Sequence, residues 1–222
     1  MGKYTTLLFD LDNTLLDFTR SEYVCIKKLF CESGLPCDEA SVKRYSEIND
    51  MYWKAFERGE IRAEQIYTGR FETFANEKNV KLDPQLLAKG YLEKLSNCVI
   101  KMPYCDDILS YCKNKGYTLA VITNGIPKCQ RSRIALSGID NYISHLFISQ
   151  EIGVPKPEVA FFDKVFDEIT EKDKSKILVI GDSPTSDIKG AVNVGIDSCF
   201  LGETCNQATY TIKNLNELKT IL

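Results

Sequence analysis

Acidic side chains recur at two points of the sequence where a short apolar run ends in a polar turn. Asp10 and Asp12 follow the first such run, and Asp182 and Asp187 follow a later one. Asp10 and Asp12 are two residues apart, so in an extended segment their carboxylates face the same side. Clustered carboxylates repel one another and require a cation, and oxygen ligands of this kind favour Mg²⁺. The pattern therefore predicts a magnesium site built from these four aspartates.

A second set of polar residues follows other apolar runs and suits the binding of a phosphate group. Thr123, Asn124 and Gly125 form a small polar turn just before a helix that is predicted to begin at Pro127. The turn offers a hydroxyl and free backbone N–H groups, which bind anions at a helix N-terminus. Lys156, which lies between two prolines, adds a positive charge. These residues predict a phosphate site beside the metal.

The charges at these positions cancel when a divalent cation is included. With Asp12 protonated, the other three aspartates contribute −3, and Lys156 together with Mg²⁺ returns +3. A nearly neutral site of this kind can accept an anion. Each pattern alone is ordinary, because aspartates often cap turns. Their occurrence in this order, each at the end of a predicted strand, favours a single site.

The elements that must position these residues are short buried strands that alternate with helices. Apolar runs bounded by turn residues predict parallel strands. They are Tyr4–Phe9, Thr118–Ile122, Leu146–Ser149 and Ile177–Ile180, with a weaker fifth at Ser198–Leu201. Helical patterns lie between the later strands, at Tyr104–Lys115 and after the prolines Pro127 and Pro184. This alternation predicts an α/β fold with a doubly wound parallel sheet.

The region between the first and second strands breaks the alternation, because it carries helical patterns and no strand signal. Thr19–Glu22 has the form of a capping box, Gly34 and Gly59 separate helices, and Asp83-Pro84 begins another. We therefore expect a small helical domain inserted after the first strand. The predicted division is a core of residues 1–16 and 98–222 and a helical cap of residues 17–97.

Composition excludes several classes of protein. The chain has 222 residues and a formal net charge of −3, which argues against a general binder of nucleic acid polymers or membrane surfaces. It has no run of 18 apolar residues and no secretory signal pattern at its amino terminus, so we expect a cytoplasmic protein. The single histidine, His145, leaves no base for a catalytic triad. The nine cysteines contain no C-x-x-C pair, and we expect them to be small buried hydrophobes.

Four segments of the sequence resemble the motifs of the haloacid dehalogenase superfamily of aspartate-nucleophile phosphohydrolases. They are DLDNT from Asp10, ITNG from Ile122, VPKP around Lys156 and GDSPTSD from Gly181. The segments ITNG, SQEIGVPKPEVAFF and GDSPTSDIKGAVNVGID are similar to the branch of pyrimidine nucleoside 5'-monophosphatases. Pro184 departs from the leucine expected in that branch, but a proline is tolerated in the first turn of a helix. The resemblance implies a Rossmann-like core with an inserted helical cap.

The resemblance also implies a role for each motif residue. Asp10 would be the nucleophile, ionised at neutral pH if its pKa is the ordinary value near 4. Asp12 would be the general acid and then the base. Mg²⁺ would be held by Asp10, the backbone carbonyl of Asp12 and Asp182, with Asp187 nearby. The phosphoryl group would be bound by the turn and the lysine, that is by Thr123, Asn124, Gly125 and Lys156.

The expected activity is magnesium-dependent hydrolysis of a phosphomonoester through an aspartyl-phosphate, with a pyrimidine nucleotide as substrate. A dehalogenase would not need an acid at Asp12, because halide leaves without a proton. Two alternatives remain open: a sugar-phosphate or phosphoglycolate phosphatase of the same fold, and a phospho-accepting signalling domain. We expect a monomer or homodimer. Seven aromatic residues of the predicted helical cap either stack on the base of the nucleotide or form the core of the cap. They are Phe18, Tyr23, Tyr52, Trp53, Phe56, Phe71 and Phe74.

Overall fold

The computed structural model describes residues 2–222. Contacts divide the described residues into two compact units, one of residues 2–17 with Ile100–Leu222 and one of Phe18–Val99. We call the first the sheet unit and the second the helical unit. Within residues 2–222, no helix combines the length and the apolar character that crossing a membrane requires.

A six-stranded parallel sheet forms the centre of the sheet unit, with the strand order β3-β2-β1-β4-β5-β6. The strands are β1 (Thr6–Phe9), β2 (Thr118–Thr123), β3 (His145–Ile148), β4 (Ile177–Gly181), β5 (Asp197–Leu201) and β6 (Tyr210–Ile212). The predicted α/β fold with a doubly wound parallel sheet is confirmed. The sequence patterns missed β6, because this strand has three residues and only Ile212 among them is buried.

The helical unit consists of four helices, α1 (Phe18–Glu32), α2 (Glu39–Glu57), α3 (Ala63–Lys78) and α4 (Pro84–Ser96). Asp83 caps α4 by accepting hydrogen bonds from two backbone N–H groups, and Pro84 is the first residue of that helix, as predicted. The predicted capping box of Thr19 is wrong, because α1 already begins at Phe18.

Aromatic rings form the core of the helical unit. The ring centroids of Phe30 and Phe74 are 4.6 Å apart, and those of Tyr45 and Phe71 are 5.0 Å apart. Phe71 and Phe74 have no exposed surface. Because fully buried rings present no face to a ligand, the base-stacking alternative is wrong for these two residues, and they belong to the core.

The helices of the sheet unit are α5 (Cys105–Asn114), α6 (Pro127–Ser137), α7 (Ser149–Ile152), α8 (Val159–Glu168) and α9 (Lys189–Val194). A π-helical turn, Pro184–Ile188, precedes α9, so the helix predicted to open at Pro184 begins with a wider turn. Apolar residues of β1, β2 and β4 pack with α8 and α9 in one buried cluster. This cluster fixes the strands whose carboxyl ends carry the motif residues.

The cysteines differ from the prediction at four positions: Cys98 and Cys205 are only partly buried, and two others form a disulfide. Cys31 at the end of α1 and Cys37 before α2 form a disulfide. Gly34 between them has a φ of +68°, a left-handed conformation that glycine adopts without strain and that reverses the chain. Five of the other cysteines are buried as predicted: Cys25, Cys105, Cys112, Cys129 and Cys199.

Candidate active site

The register of the sheet brings three motifs to one edge. Phe9, the last residue of β1, lies opposite Val121 of β2 on one side and Ile180 of β4 on the other. The backbone N–H of Asp10 continues this pairing by donating to the carbonyl of Ile180 at 2.8 Å. The residues that follow the three strands therefore emerge side by side at the carboxyl edge, where open parallel sheets bind ligands.

Three of the four predicted aspartates form a compact acidic group. Asp10, Asp182 and Asp187 each offer a carboxylate oxygen, and these oxygens lie within 4.8 Å of one another. Asp187 approaches so closely that a Cβ on Gly181 would overlap its carboxylate, so glycine is required at that position. A set of oxygen donors with excess negative charge fits a hard divalent cation.

Lys156 lies at the centre of the acidic group and is 1% exposed. Its Nζ donates to Asp10 Oδ1 at 2.7 Å, to Asp187 Oδ1 at 2.7 Å and to the carbonyl of Ile122 at 2.9 Å. These three acceptors use the three protons of the ammonium group. The side chain of Asn124 exchanges two hydrogen bonds with the backbone of Lys156, at 2.9 and 3.0 Å, and so holds the loop that carries it.

Burial and charge change the protonation of this group. Burial raises the pKa of Asp10 well above its usual range, and the carboxylates of Asp187 and Asp182 raise it further, although Lys156 opposes them. The expectation of an ordinary pKa for Asp10 is therefore wrong for the protein without a cation. Burial, together with Asp187, raises the pKa of Asp182 to about 7.

Lys156 remains protonated in this environment. Burial acts against its charge, but the carboxylates of Asp10 and Asp187 outweigh burial and raise the pKa of the ammonium group. A divalent cation near Asp10 would likewise favour the ionised carboxylate, because an opposite charge stabilises it. The nucleophile that the motifs predict thus depends on positive charge from both sources.

Two side chains of helix α6 hold the carboxylate of Asp12. Its Oδ1 accepts from an Arg133 Nη at 2.5 Å, and its Oδ2 accepts from Gln130 Nε2 at 2.7 Å. The Asp12 side chain is 28% exposed, whereas that of Arg133 is 1% exposed. Each carboxylate oxygen of Asp12, the predicted acid, therefore accepts a hydrogen bond from one buried side chain, and part of the Asp12 side chain is exposed to solvent.

Sequence reasoning missed Gln130 and Arg133. They lie one helical turn apart on α6 and belong to its buried stripe. A glutamine and an arginine in the middle of a helix are usually exposed, so the pattern alone assigns them to solvent. The sequence signal that could have found them is their position in the helix that follows the T-N-G turn, close to the predicted phosphate site. In the structure the exposed side of this helix carries the apolar Leu136, which is 59% exposed.

The hydrogen bonds around Thr123 orient its hydroxyl group so that it can donate a hydrogen bond to an anion. Its Oγ1 accepts from the backbone N–H of Gly125 at 3.1 Å and from Gln130 Nε2 at 2.9 Å. A hydroxyl has two lone pairs and one proton, so these bonds leave the proton free to be donated. A Cβ on Gly125 would overlap the side chain of Gln130, which explains the glycine.

The remaining predicted substrate residues lie in the helical unit and are partly exposed. They are Phe18, Tyr23, Tyr52, Trp53 and Phe56. The rings of Trp53 and Phe56 meet edge to face at 5.9 Å, and the hydroxyl of Tyr23 accepts from Lys27 at 3.1 Å. Their role toward a substrate stays a prediction.

Comparison with known proteins gives consistent matches along the chain. A profile of the haloacid dehalogenase-like hydrolase family matches residues 7–201. Pyrimidine 5'-nucleotidase PynA of Streptococcus pneumoniae is 33% identical, covering 97% of this chain and 93% of that protein. Pyrimidine 5'-nucleotidase YjjG of Escherichia coli is 28% identical, covering 99% and 98%. The crystal structure of HAD-hydrolase YfnB from Bacillus subtilis, bound to magnesium, has 32% identity and a TM-score of 0.94, covering 100% and 99%.

Proposed function

The chain belongs to the haloacid dehalogenase-like hydrolase family, as its four motifs predict, and on this basis we propose that it is a magnesium-dependent phosphatase of pyrimidine nucleoside 5'-monophosphates. The observation that carries the proposal is the excess of carboxylates at the sheet edge, where Asp10, Asp182 and Asp187 lie together and a single lysine pairs with Asp10 and Asp187. Groups of like charge that are buried together mark sites that bind cations or do chemistry.

Asp10 is the proposed nucleophile. One of its carboxylate oxygens forms a bond to phosphorus while the bond from phosphorus to the ester oxygen breaks, which gives an aspartyl-phosphate. The leaving oxygen takes a proton from Asp12. In the second step water gives a proton to Asp12, its oxygen bonds to phosphorus, and the bond to Asp10 breaks, which releases inorganic phosphate.

The residues that would hold Mg²⁺ are the carboxylates of Asp10, Asp182 and Asp187, with the backbone carbonyl of Asp12. When bound, the cation supplies positive charge that stabilises the phosphoryl oxygens and the ionised nucleophile. The hydroxyl of Thr123, with its free proton, and the backbone N–H of Asn124 would donate to the same oxygens. The backbone N–H of Gly125, which the motif also predicts to bind phosphate, instead donates to Thr123 Oγ1. Lys156, which donates to Asp10, is proposed to add positive charge that stabilises the ionised carboxylate.

The proposed substrate is a small phosphorylated metabolite, a pyrimidine nucleotide. Its support is the similarity, over nearly the whole chain, to two proteins named as pyrimidine 5'-nucleotidases. We propose that partly exposed aromatic residues of the helical unit, Trp53 and Phe56 among them, contact the base. A flat apolar base gains stabilisation from aromatic faces.

The test is a screen of phosphate release in the presence of Mg²⁺. The panel contains uridine, cytidine and thymidine 5'-monophosphates, purine 5'-monophosphates, sugar phosphates, phosphoglycolate and p-nitrophenyl phosphate, and Asp10→Asn is the control. We expect sustained turnover with the largest kcat/KM for the pyrimidine nucleotides. A larger kcat/KM for sugar phosphates or phosphoglycolate would contradict the proposed substrate. Release of a single equivalent of nitrophenolate per protein, with the phosphoryl group retained on the protein, would contradict the phosphatase and favour a signalling domain.

A further inference from the structure

We propose that Gln130 and Arg133 are positioning residues, which hold the carboxyl of Asp12 and the hydroxyl of Thr123 in the orientations that phosphoryl transfer needs. The proposal rests on the proposed phosphatase function and adds a second layer to it. Neither residue lies in the four motifs, and both are at most 1% exposed. Their side chains lie behind the acid and the phosphoryl-binding turn.

The two donors fix the plane of the Asp12 carboxyl. Arg133 donates to Oδ1 at 2.5 Å and Gln130 donates to Oδ2 at 2.7 Å, so each oxygen has one buried partner. Each carboxylate oxygen has two lone pairs, and the second one on each stays available on the open face. The 28% exposure of the Asp12 side chain shows that this face is reachable, as a group that exchanges protons with a substrate and with water must be.

The amide of Gln130 links the acid to the phosphoryl-binding turn. One Nε2 atom donates to both Asp12 and Thr123, while Oε1 accepts from Arg133 at 3.1 Å. The amide orientation follows from charge, because the opposite orientation would place Oε1 against the Asp12 carboxylate and the NH₂ group against a guanidinium. Every polar atom of the Gln130 side chain is thus committed to positioning another group.

The same amide makes Thr123 a donor. Without Gln130, the Thr123 hydroxyl would keep one lone pair free and could rotate to other partners. With Gln130 and the Gly125 N–H both donating to it, the hydroxyl proton points away from them and is left for a phosphoryl oxygen. Preorganised donors of this kind stabilise developing charge without reorganisation during the reaction.

The test compares substitutions at these two positions with a matched control on the same helix. The variants are Gln130→Met, Arg133→Met and the charge-conserving Arg133→Lys. The control is Arg131→Met, because Arg131 is exposed and forms a two-bond ion pair with Glu151, away from Asp12. Circular dichroism and thermal unfolding show which variants fold. If Arg133→Met does not fold, Gln130→Met and Arg133→Lys still test the inference.

The readout is the dependence of kcat/KM on the leaving group, since kcat/KM reports the step that forms the aspartyl-phosphate. For uridine 5'-monophosphate, whose leaving group needs a proton, Gln130→Met and Arg133→Met should lower kcat/KM by about 10- to 100-fold. For p-nitrophenyl phosphate, whose leaving group needs little protonation, Arg133→Met should lower it less than about threefold. Arg133→Lys should recover part of the loss, and Arg131→Met should match the wild type.

A second readout separates positioning from stability. A poorly placed Asp12 slows the attack of water on the intermediate, so Arg133→Met should release a rapid burst of one p-nitrophenolate per active site before slow turnover. A purely structural role predicts equal losses on both substrates and no burst, and that result would overturn the inference. Wild-type protein that releases no phosphate would overturn the proposed function instead, so the two failures are distinguishable.

Discussion

Buried charges occur in both units of the molecule, but the two clusters are built differently. In the helical unit, Arg70 donates to Asn49 Oδ1 at 2.6 Å, and Asn49 donates to Glu22 Oε1 at 2.7 Å. All three residues are at most 4% exposed. One guanidinium faces one carboxyl group through an amide, so this cluster is balanced in charge. An amide that bridges a guanidinium and a carboxyl group in this way is typical of structural networks.

The cluster at the sheet edge is unbalanced. Its four carboxyl groups, when ionised, face two cations, Lys156 and Arg133, which leaves two negative charges. A divalent cation would cancel this excess. The balance expected from sequence counted Asp12 as protonated, as a general acid must be, and did not include Arg133. The comparison indicates that an uncompensated charge, rather than burial alone, distinguishes a site that binds from a network that stabilises.

The largest expected effect is the loss of activity in Asp10→Asn. An amide does not attack phosphorus, so kcat should fall by at least about 10⁴-fold on every substrate. The unfolding temperature should stay the same or rise, because the change removes one of several like charges. Phosphate release and thermal unfolding measure the two effects. Activity within tenfold of the wild type would exclude Asp10 as the nucleophile.

The next largest effect is expected from Asp12→Asn. Because the amide cannot protonate the leaving oxygen, kcat/KM for a nucleotide should fall by about 10²- to 10⁴-fold. The loss for p-nitrophenyl phosphate should be much smaller, since nitrophenolate leaves without help. Glu22→Gln in the balanced cluster is the control and should not change the ratio of the two substrates. Equal losses on both substrates in Asp12→Asn would contradict its role as the acid.

Substitutions in the charge-balanced cluster of the helical unit should change the free energy of unfolding and not the catalytic activity. Arg70→Met leaves Glu22 buried without its cation, and we expect the free energy of unfolding to fall by about 3 kcal/mol. The double variant Glu22→Gln, Arg70→Met should lose less than the single variant, because no charge is left unpaired. Urea unfolding followed by circular dichroism measures both. A double variant less stable than Arg70→Met alone would show that charge balance does not explain the cluster.

The smallest expected effect is the pH dependence of cation binding at the sheet edge. The pKa of Asp182 is about 7 without a cation, so protons compete with Mg²⁺ below that pH. The affinity for Mg²⁺ should therefore fall as the pH is lowered through 7, because Asp182 takes up a proton there. Mg²⁺ titration calorimetry at several pH values checks this, with Asp182→Asn as the control. Affinity that is constant across pH 7 would contradict the assignment.

The sequence predicts the sheet and the motif residues because both depend on local patterns. The apolar runs locate five of the six strands, and parallel pairing then requires that Asp10, Thr123 and Asp182 meet at one edge. The short strand β6 carries too few buried residues to produce a pattern. The family and the enzyme class follow from the same motifs.

The contacts behind the motifs could not be predicted in the same way. The buried side chains of Gln130 and Arg133 both donate hydrogen bonds to Asp12, and no local pattern reports a partner more than a hundred residues away in the chain. The raised pKa of Asp10 likewise depends on burial and on carboxylates brought together by the fold. The disulfide between Cys31 and Cys37 depends on the reversal of the chain at Gly34, which spacing does not reveal.

The most direct test of the account is to trap the covalent intermediate on Asp10. The protein is mixed with substrate and Mg²⁺, quenched during turnover and treated with borohydride, which reduces an aspartyl-phosphate to homoserine. The peptides are then identified by mass spectrometry. The account predicts homoserine at position 10 in the wild type and none in Asp10→Asn. Efficient turnover with no modified aspartate, or with the modification at another position, would contradict it.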